Sequence, residues 1–193
     1  MSKKIIFTLL ILITMVSQGC QDKAQDEKQS DTQTSQANSM IASNEYVLTS
    51  TDNEQYIVKK ENGGFVLEGA KGKVVIFDIF ATWCPPCQAG ASHLTSLQNK
   101  YKDDLVIIAL TIEENIANTK LEDFKKSFGA EYTIVNSAQN RPLVNAIATA
   151  LELGNRFPIP LMAMYIDGKP VNHYVGEVQE EFIESDIKKA LGK

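Results

Sequence analysis

The sequence predicts an α/β domain in which helices cover both faces of a central mixed sheet. Two apolar runs of strand length, Lys73–Phe80 and Leu105–Leu110, have the composition of strands that are buried on both faces. Stretches with helical spacing of apolar residues follow both runs. A third run, Leu161–Ile166, is joined through Asp167-Gly168 to a partner strand, as in an antiparallel hairpin. Strands that alternate with helices and end in a hairpin are typical of a three-layer sandwich.

The elements that precede the first buried strand indicate an N-terminal β-hairpin extension. Three short runs, Tyr46–Leu48, Gln55–Val58 and Phe65–Leu67, have the aromatic and β-branched composition of strands. Asn62-Gly63-Gly64 is a strong turn signal before the last of them. The folded domain is therefore predicted to span residues 44–193.

Apolar positions at helical spacing predict four helices, with a short strand, Tyr132–Val135, between the second and third. We expect the third helix to start at Pro142, because proline suits the first helical position. In chain order, the four apolar stripes are Ala91, Leu94, Leu97 and Tyr101; Leu121, Phe124 and Phe128; Leu143, Val144, Ile147 and Leu151; and Ile183, Ile187, Ala190 and Leu191.

The N-terminal region has the pattern of a targeting signal followed by a tether. Lys3 and Lys4 precede Ile5–Val16, an apolar run with the length of a signal-peptide core. Gly19 then leads into Cys20, the position at which a bacterial lipoprotein is cut and acylated. We interpret residues 1–20 as a signal peptide that ends in this lipidation cysteine, with a plain secretory signal as the alternative. Residues 21–43 contain no aromatic residue and little apolar surface, so we predict a disordered tether.

The segment Trp83-Cys84-Pro85-Pro86-Cys87 lies where the first buried strand ends and a helix begins. The unpaired N–H groups and the positive end of the helix dipole favour thiolate over thiol at the first cysteine. A thiolate attacks disulfides, and a second cysteine one helical turn later can resolve the mixed disulfide. We therefore predict a redox-active dithiol in which Cys84 is the more exposed thiol and the nucleophile.

Other interpretations of the two cysteines fit less well. A closed zinc site needs four ligands, but there is no second C-x-x-C, and His93 and His173 are far apart in sequence. A structural disulfide is expected to close a longer loop. The net charge of −5 argues against nucleic acid as a partner. We thus expect no metal and no cofactor other than the redox-active disulfide Cys84–Cys87.

The order of strand, W-C-x-x-C, helix and a later proline before a hairpin resembles the thioredoxin fold. The segments Phe80–Cys87 and Gly69–Val75 are similar to the membrane-tethered TlpA/ResA-like thiol–disulfide oxidoreductases of bacteria. The resemblance covers Tyr46–Leu191. It implies a thioredoxin-like three-layer sandwich with a central mixed sheet and the N-terminal β-hairpin extension.

The resemblance also implies roles for residues outside the dithiol. Pro160 aligns with the family's cis-proline, which exposes the backbone of Ile159 for pairing with a substrate strand. Trp83 is expected to lie beside the dithiol and to shape the docking surface. Asp78 aligns with the buried acid that helps to move the proton of the second cysteine, and burial of a carboxylate raises its pKa. The lysine that accompanies this acid in thioredoxin is Ala109 here.

The implied function is a thiol–disulfide oxidoreductase of the periplasm or outer cell surface that reduces protein disulfides. A membrane electron donor of the CcdA or DsbD type would restore the dithiol, and cytochrome c maturation is a candidate pathway. One alternative is a disulfide-donating oxidase, although such proteins usually carry a helical insertion before the cis-proline. Another is a copper-binding chaperone of the same fold, which normally uses C-x-x-x-C, so that Cys84 and Cys87 are one residue too close.

Overall fold

The computed structural model describes residues 44–154 and 156–193. The predicted signal peptide, Cys20 and the tether of residues 21–43 lie outside the described residues. The elements are, in chain order, β1 (Glu45–Thr49), β2 (Gln55–Glu61), β3 (Gly64–Leu67), β4 (Val74–Phe80), α1 (Pro85–Lys100), β5 (Leu105–Thr111), α2 (Asn118–Phe128), β6 (Thr133–Val135), α3 (Asn140–Ala150), β7 (Leu161–Ile166), β8 (Lys169–Val175) and α4 (Glu180–Ala190).

The centre of the domain is a five-stranded mixed sheet with the strand order β6-β5-β4-β7-β8. Strands β4, β5 and β6 run parallel to one another, whereas β7 pairs antiparallel with both β4 and β8. Helices α1, α2 and α4 cover one face, and α3 together with the N-terminal strands covers the other. The predicted three-layer sandwich with a mixed sheet is therefore confirmed.

Strand β4 lies in the middle of the sheet and is buried along its whole length. Because successive side chains of a strand point to opposite faces, Val75, Phe77 and Ile79 pack against the α3 side. Ile76 and Phe80 belong to the cluster on the α1 side. Asp78 lies between these two residues on the same face of the strand. Its carboxyl group therefore enters an otherwise apolar layer beneath α1.

The N-terminal extension is a three-stranded antiparallel sheet with the order β1-β2-β3, which contains the predicted hairpin. It is attached to the edge of β6 by backbone hydrogen bonds. Thr51 N–H donates to Ile134 O at 3.0 Å, and Asn136 N–H donates to Thr49 O at 2.8 Å. An edge strand offers unpaired backbone groups, and these bonds satisfy part of them.

Helix α3 begins at Asn140, two residues before Pro142, so the expectation that Pro142 is the first helical residue was wrong. The side chain of Asn140 is buried and its Nδ2 donates to Val135 O at 2.8 Å, which ties the first turn to the end of β6. Pro142 is tolerated as the third helical residue, because the N–H groups of the first turn have no partner within the helix.

Candidate active site

Cys84 and Cys87 form a disulfide at the N-terminus of α1, with their Cα atoms 5.3 Å apart. Cys84 is the N-cap residue of α1, and its sulfur accepts a hydrogen bond from Cys87 N–H at 3.3 Å. Pro85 and Pro86 are the first two helical residues and have no N–H to offer. The N–H of Cys87 is consequently the first donor of the helix that can reach the Cys84 sulfur.

Both cysteines are buried in the disulfide form. Cys84 is 3% exposed and Cys87 is 6% exposed, and the greater exposure of the Cys84 thiol in the reduced protein stays a prediction. The loop before β7 lies against Cys84 in this form, since the Cys84 sulfur is 3.8 Å from the carbonyl oxygen of Ile159. A substrate therefore has to approach the Cys84 sulfur beside this loop.

The loop before β7 contains the cis-proline that the resemblance implied. The peptide bond between Ile159 and Pro160 is cis. Pro160 is buried, and its carbonyl oxygen accepts a hydrogen bond from Gly176 N–H at 2.8 Å, which fixes the loop to the end of β8. Ile159 is only half-buried and keeps its carbonyl oxygen beside the Cys84 sulfur.

Trp83 precedes the disulfide and is 63% exposed. Large aromatic side chains usually bury most of their surface, so an exposed tryptophan beside a reactive group indicates a contact surface rather than core packing. The side chain lines a groove with Ile159 and Phe157, next to the cis-proline loop. The structure thus brings Trp83, Ile159 and Cys84 together at one site.

Asp78 is 5% exposed, and burial raises its pKa from 3.8 to about 7. It lines a cavity of about 30 Å³ together with Cys87, Leu94 and Pro160. A cavity of this size has room for one or two water molecules, which need polar partners such as a carboxyl group. Asp78 and Cys87 therefore border the same small cavity, and the Asp78 carboxyl group has a pKa close to neutral pH.

Tyr132 is a neighbour of Asp78 that the sequence did not reveal. It is buried in the cluster on the α1 face of the sheet. Burial, and to a lesser extent the charge of Asp78, raises the pKa of Tyr132 well above its usual value. Ala109 pairs with Asp78 on the adjacent strand and supplies no charge. The acid thus has a neutral phenol in its neighbourhood, and burial alone sets its pKa.

Glu113 holds the turn between β4 and the disulfide. Thr82 donates twice to its carboxylate, from its N–H at 2.6 Å and from its hydroxyl group at 3.1 Å. The carbonyl oxygen of Thr82 accepts from Gln88 Nε2 at 2.7 Å, which closes the turn onto α1. Because Trp83 and Cys84 follow directly, these bonds fix the direction in which both side chains leave the turn.

Sequence reasoning missed Glu113, although one signal pointed to it. Phe80 is paired with Thr111 in the parallel sheet, so the carboxyl ends of β4 and β5 lie side by side. Residues that follow such ends meet at one edge of the sheet, where ligands of open α/β folds bind. An acid two residues beyond β5 therefore had to lie near the turn that leads into Cys84.

The two histidines have no evident role in this chemistry. His93 and His173 are both exposed, on α1 and β8 respectively. No group of three or more His, Cys, Asp or Glu side chains in the described ranges could hold a metal ion. Within the same ranges, no helix combines the length and apolarity that crossing a membrane requires.

A C-x-x-C disulfide at a helix N-terminus, with a cis-proline beside it and a buried acid behind it, defines a thioredoxin-fold thiol–disulfide oxidoreductase.

Similar proteins of known sequence agree with this class. The chain belongs to the redoxin family, whose profile matches residues 42–191. It is 28% identical over 150 residues to the thiol-disulfide oxidoreductase ResA of Bacillus thuringiensis, which covers 72% of this chain and 81% of that protein.

Solved structures show the same fold. A thiol:disulfide interchange protein of Chlorobium tepidum superposes with a TM-score of 0.59 at 21% identity, over 78% of this chain and 95% of that one. A secreted disulfide oxidoreductase of Mycobacterium tuberculosis, described as homologous to E. coli DsbE, gives 0.52 at 14% identity, over 75% and 95% of the two chains. These two structures show the fold, and the ResA relatives support thiol–disulfide oxidoreductase activity, with Cys84 and Cys87 as the redox pair.

Replacing Asp78 with Asn should stabilise the protein at alkaline pH. Burial raises the pKa of Asp78 from 3.8 to about 7, so between these values the unfolded chain ionises and the folded protein does not. The free energy of unfolding of the wild-type protein is therefore highest below about pH 4, where Asp78 is protonated in both states. It falls as the pH rises to about 7. Relative to wild type, Asp78→Asn should gain up to roughly 4 kcal/mol at pH 8 and little at pH 4.

Urea unfolding of the oxidised proteins at both pH values measures this difference. Asp123→Asn, on the exposed side of α2, serves as the control and should not show it. An equal effect of Asp78→Asn at the two pH values would contradict a pKa of Asp78 that is higher in the folded protein than in the unfolded chain.

Replacing Glu113 with Gln should slow thiol–disulfide exchange. The amide keeps one oxygen acceptor but loses the charge and the second acceptor that Thr82 uses. Hydrogen bonds to charged groups are worth about 1.5–3 kcal/mol, and losing part of one should slow exchange with oxidised glutathione about three- to tenfold. Glu131→Gln, at an exposed site, is the control. Equal rates for the two variants would show that Glu113 does not position the turn.

Proposed function

We propose that this protein acts outside the cytoplasm and reduces disulfides of other proteins. The apolar run that precedes Cys20 supports the location, because it has the length of a signal-peptide core. The similar protein of Mycobacterium tuberculosis is described as secreted, which agrees with this location. A lipid at Cys20 and the tether of residues 21–43 would hold the domain near a membrane.

The hydrogen bonding of the Cys84 sulfur carries the proposal of a reducing direction. With prolines at the first two positions of α1, Cys87 provides the N–H donor that the structure shows at this sulfur. Fewer donors stabilise the thiolate less, so the dithiol form is less stable and the protein is a better electron donor. Oxidants of this fold stabilise their reduced form instead.

The chain between α1 and the cis-proline supports the same direction. It forms β5, α2, β6 and α3, and both strands join the central sheet. The disulfide-donating oxidases usually have a helical insertion in this part of the chain. In this chain the segment between α1 and the cis-proline belongs to the α/β sandwich, as in the tethered reductants that the sequence resembles.

The reaction proposed for this site begins with Cys84. Its thiolate attacks a substrate disulfide, forms a Cys84–substrate disulfide and releases one substrate thiolate, which takes up a proton from water. The backbone of Ile159, beside the Cys84 sulfur, pairs with the extended substrate segment. The exposed ring of Trp83 provides apolar contact area on the other side.

Cys87 then completes the transfer. Its thiol gives a proton through the shared cavity to the Asp78 carboxylate, which can accept it because its pKa is about 7. The Cys87 thiolate attacks the Cys84 sulfur, forms the Cys84–Cys87 disulfide and releases the second substrate thiolate. Two electrons pass from the protein to the substrate, and one disulfide is exchanged for another.

The oxidised protein has to be reduced again after each cycle. A membrane electron donor of the CcdA or DsbD type suits this role, because it would present electrons at the surface to which the lipid anchor ties the domain. Apocytochrome c is a substrate that fits the proposal. Haem attachment requires both cysteines of its C-x-x-C-H segment in the reduced state.

Replacing Cys87 with Ser should trap substrates on Cys84. Without the second thiol the mixed disulfide cannot be resolved, so covalent adducts should accumulate in cells and disappear on treatment with dithiothreitol. Cys84→Ser is the matched control and should form few adducts. Adducts that form mainly on the Cys84→Ser variant would reverse the roles given to the two cysteines.

Replacing Pro85-Pro86 with Gly-His should raise the reduction potential. The new residues bring two N–H groups to the first turn of α1, and these can stabilise the Cys84 thiolate. The potential can be measured by equilibration with glutathione or dithiothreitol, with alkylation to separate the two forms.

The wild-type value decides the direction. A potential near that of thioredoxin, about −270 mV, supports a reductant, and one near −120 mV would identify an oxidant. A downward shift on introducing Gly-His would overturn the argument from hydrogen bonding.

A further inference from the structure

The two arginines of the chain line one groove. Arg141 and Arg156 are its only arginines, and the other 17 basic residues are lysines. Although they are 15 positions apart, both border a groove of about 320 Å³ that also contains Trp83 and Ile159. This arginine groove therefore starts at the residues that flank the reactive cysteine.

The arginine groove is lined by apolar side chains as well as by its two cationic ones. Ile112, Phe157 and Pro158 contribute apolar surface beside the exposed ring of Trp83. Aromatic residues and arginine are enriched at the sites where proteins bind one another, whereas lysine is depleted. A substrate segment that pairs with Ile159 would continue into this groove.

The helix that carries Arg141 adds positive potential. Arg141 is the second residue of α3, whose first turn contains no acidic residue and whose N-cap makes no side-chain hydrogen bond. The positive end of the α3 dipole therefore adds to the charge of the guanidinium group.

Two glutamates lie on the neighbouring loop, and neither of them lines the arginine groove. Glu113 is bound by both donors of Thr82. Glu114 lies 3.4 Å from Arg141 Nε, but both side chains are at least half exposed, and exposed pairs of this kind bind weakly. Arg156 has no ion-pair partner within the described residues, which leaves its guanidinium group available.

We propose that the arginine groove binds an acidic segment of the substrate protein, next to the disulfide that the dithiol reduces. The proposal rests on the proposed function and specifies its substrate class. Guanidinium groups bind carboxylates through two parallel hydrogen bonds, a geometry that lysine does not offer. The net charge of the chain is −5, so its overall field disfavours acidic partners. A preference for acidic substrates can thus come only from local contacts.

Three synthetic peptides test the proposal. Each contains the same intramolecular disulfide, flanked by a pair of Asp, Asn or Lys residues. Oxidation of the reduced protein is followed by the fluorescence of Trp83, the only tryptophan of the chain. At low ionic strength the Asp peptide should react about fivefold faster than the Asn peptide, and salt should reduce the difference.

Matched variants separate the groove from the overall charge. Arg141→Gln with Arg156→Gln should abolish the preference for Asp. Lys71→Gln with Lys102→Gln removes the same charge from exposed positions before β4 and β5, at the opposite edge of the parallel strands, and should retain the preference. Glu114→Gln frees Arg141 from its exposed partner and should increase the preference.

The outcomes distinguish the inference from the proposed function. If wild type reduces all three peptides at one rate, or prefers Lys, the acidic-segment proposal is wrong while the reductase function stands. It is equally wrong if the arginine and lysine variants lose the preference to the same extent. If wild type reduces none of the peptides, the proposed function itself fails.

Discussion

The hydrogen bond from Cys87 N–H to the Cys84 sulfur connects the chemistry of this protein to its fold. Cys84 caps α1, so the atom proposed to react with substrates also satisfies a backbone donor that the helix cannot satisfy itself. Its position therefore depends on everything that sets the start of α1: the end of the buried strand β4, the Thr82 turn held by Glu113, and the Ile159 carbonyl beside the sulfur.

The two cysteines have different surroundings, and this difference supports the separate roles proposed for them. Cys87 lines a small cavity that it shares with the buried carboxyl group of Asp78, the proton acceptor of the proposed reaction. Cys84 lies beside Trp83, Ile159 and the arginine groove, where a protein segment can bind. The proposed proton transfer and the proposed substrate binding thus involve different sets of residues around one disulfide.

The sequence predicted those features that follow from local pattern. The apolar run of β4, the helical stripe of α1 and the C-x-x-C between them placed the dithiol correctly, and the family resemblance supplied the cis bond at Pro160. Features that depend on contacts between distant segments were not predictable in this way. The burial of Cys84 depends on Ile159, 75 residues further along the chain, and the role of Glu113 depends on the register of β4 and β5.

A sulfur atom that caps a helix couples electron transfer to conformational stability. The folded and unfolded chains are linked to the oxidised and reduced forms in a closed thermodynamic cycle. Any preference of the fold for one redox form consequently appears twice, as a shift in reduction potential and as a difference in unfolding free energy, with 30 mV corresponding to about 1.4 kcal/mol. For a reductant, the oxidised domain is consequently more resistant to unfolding than the reduced domain.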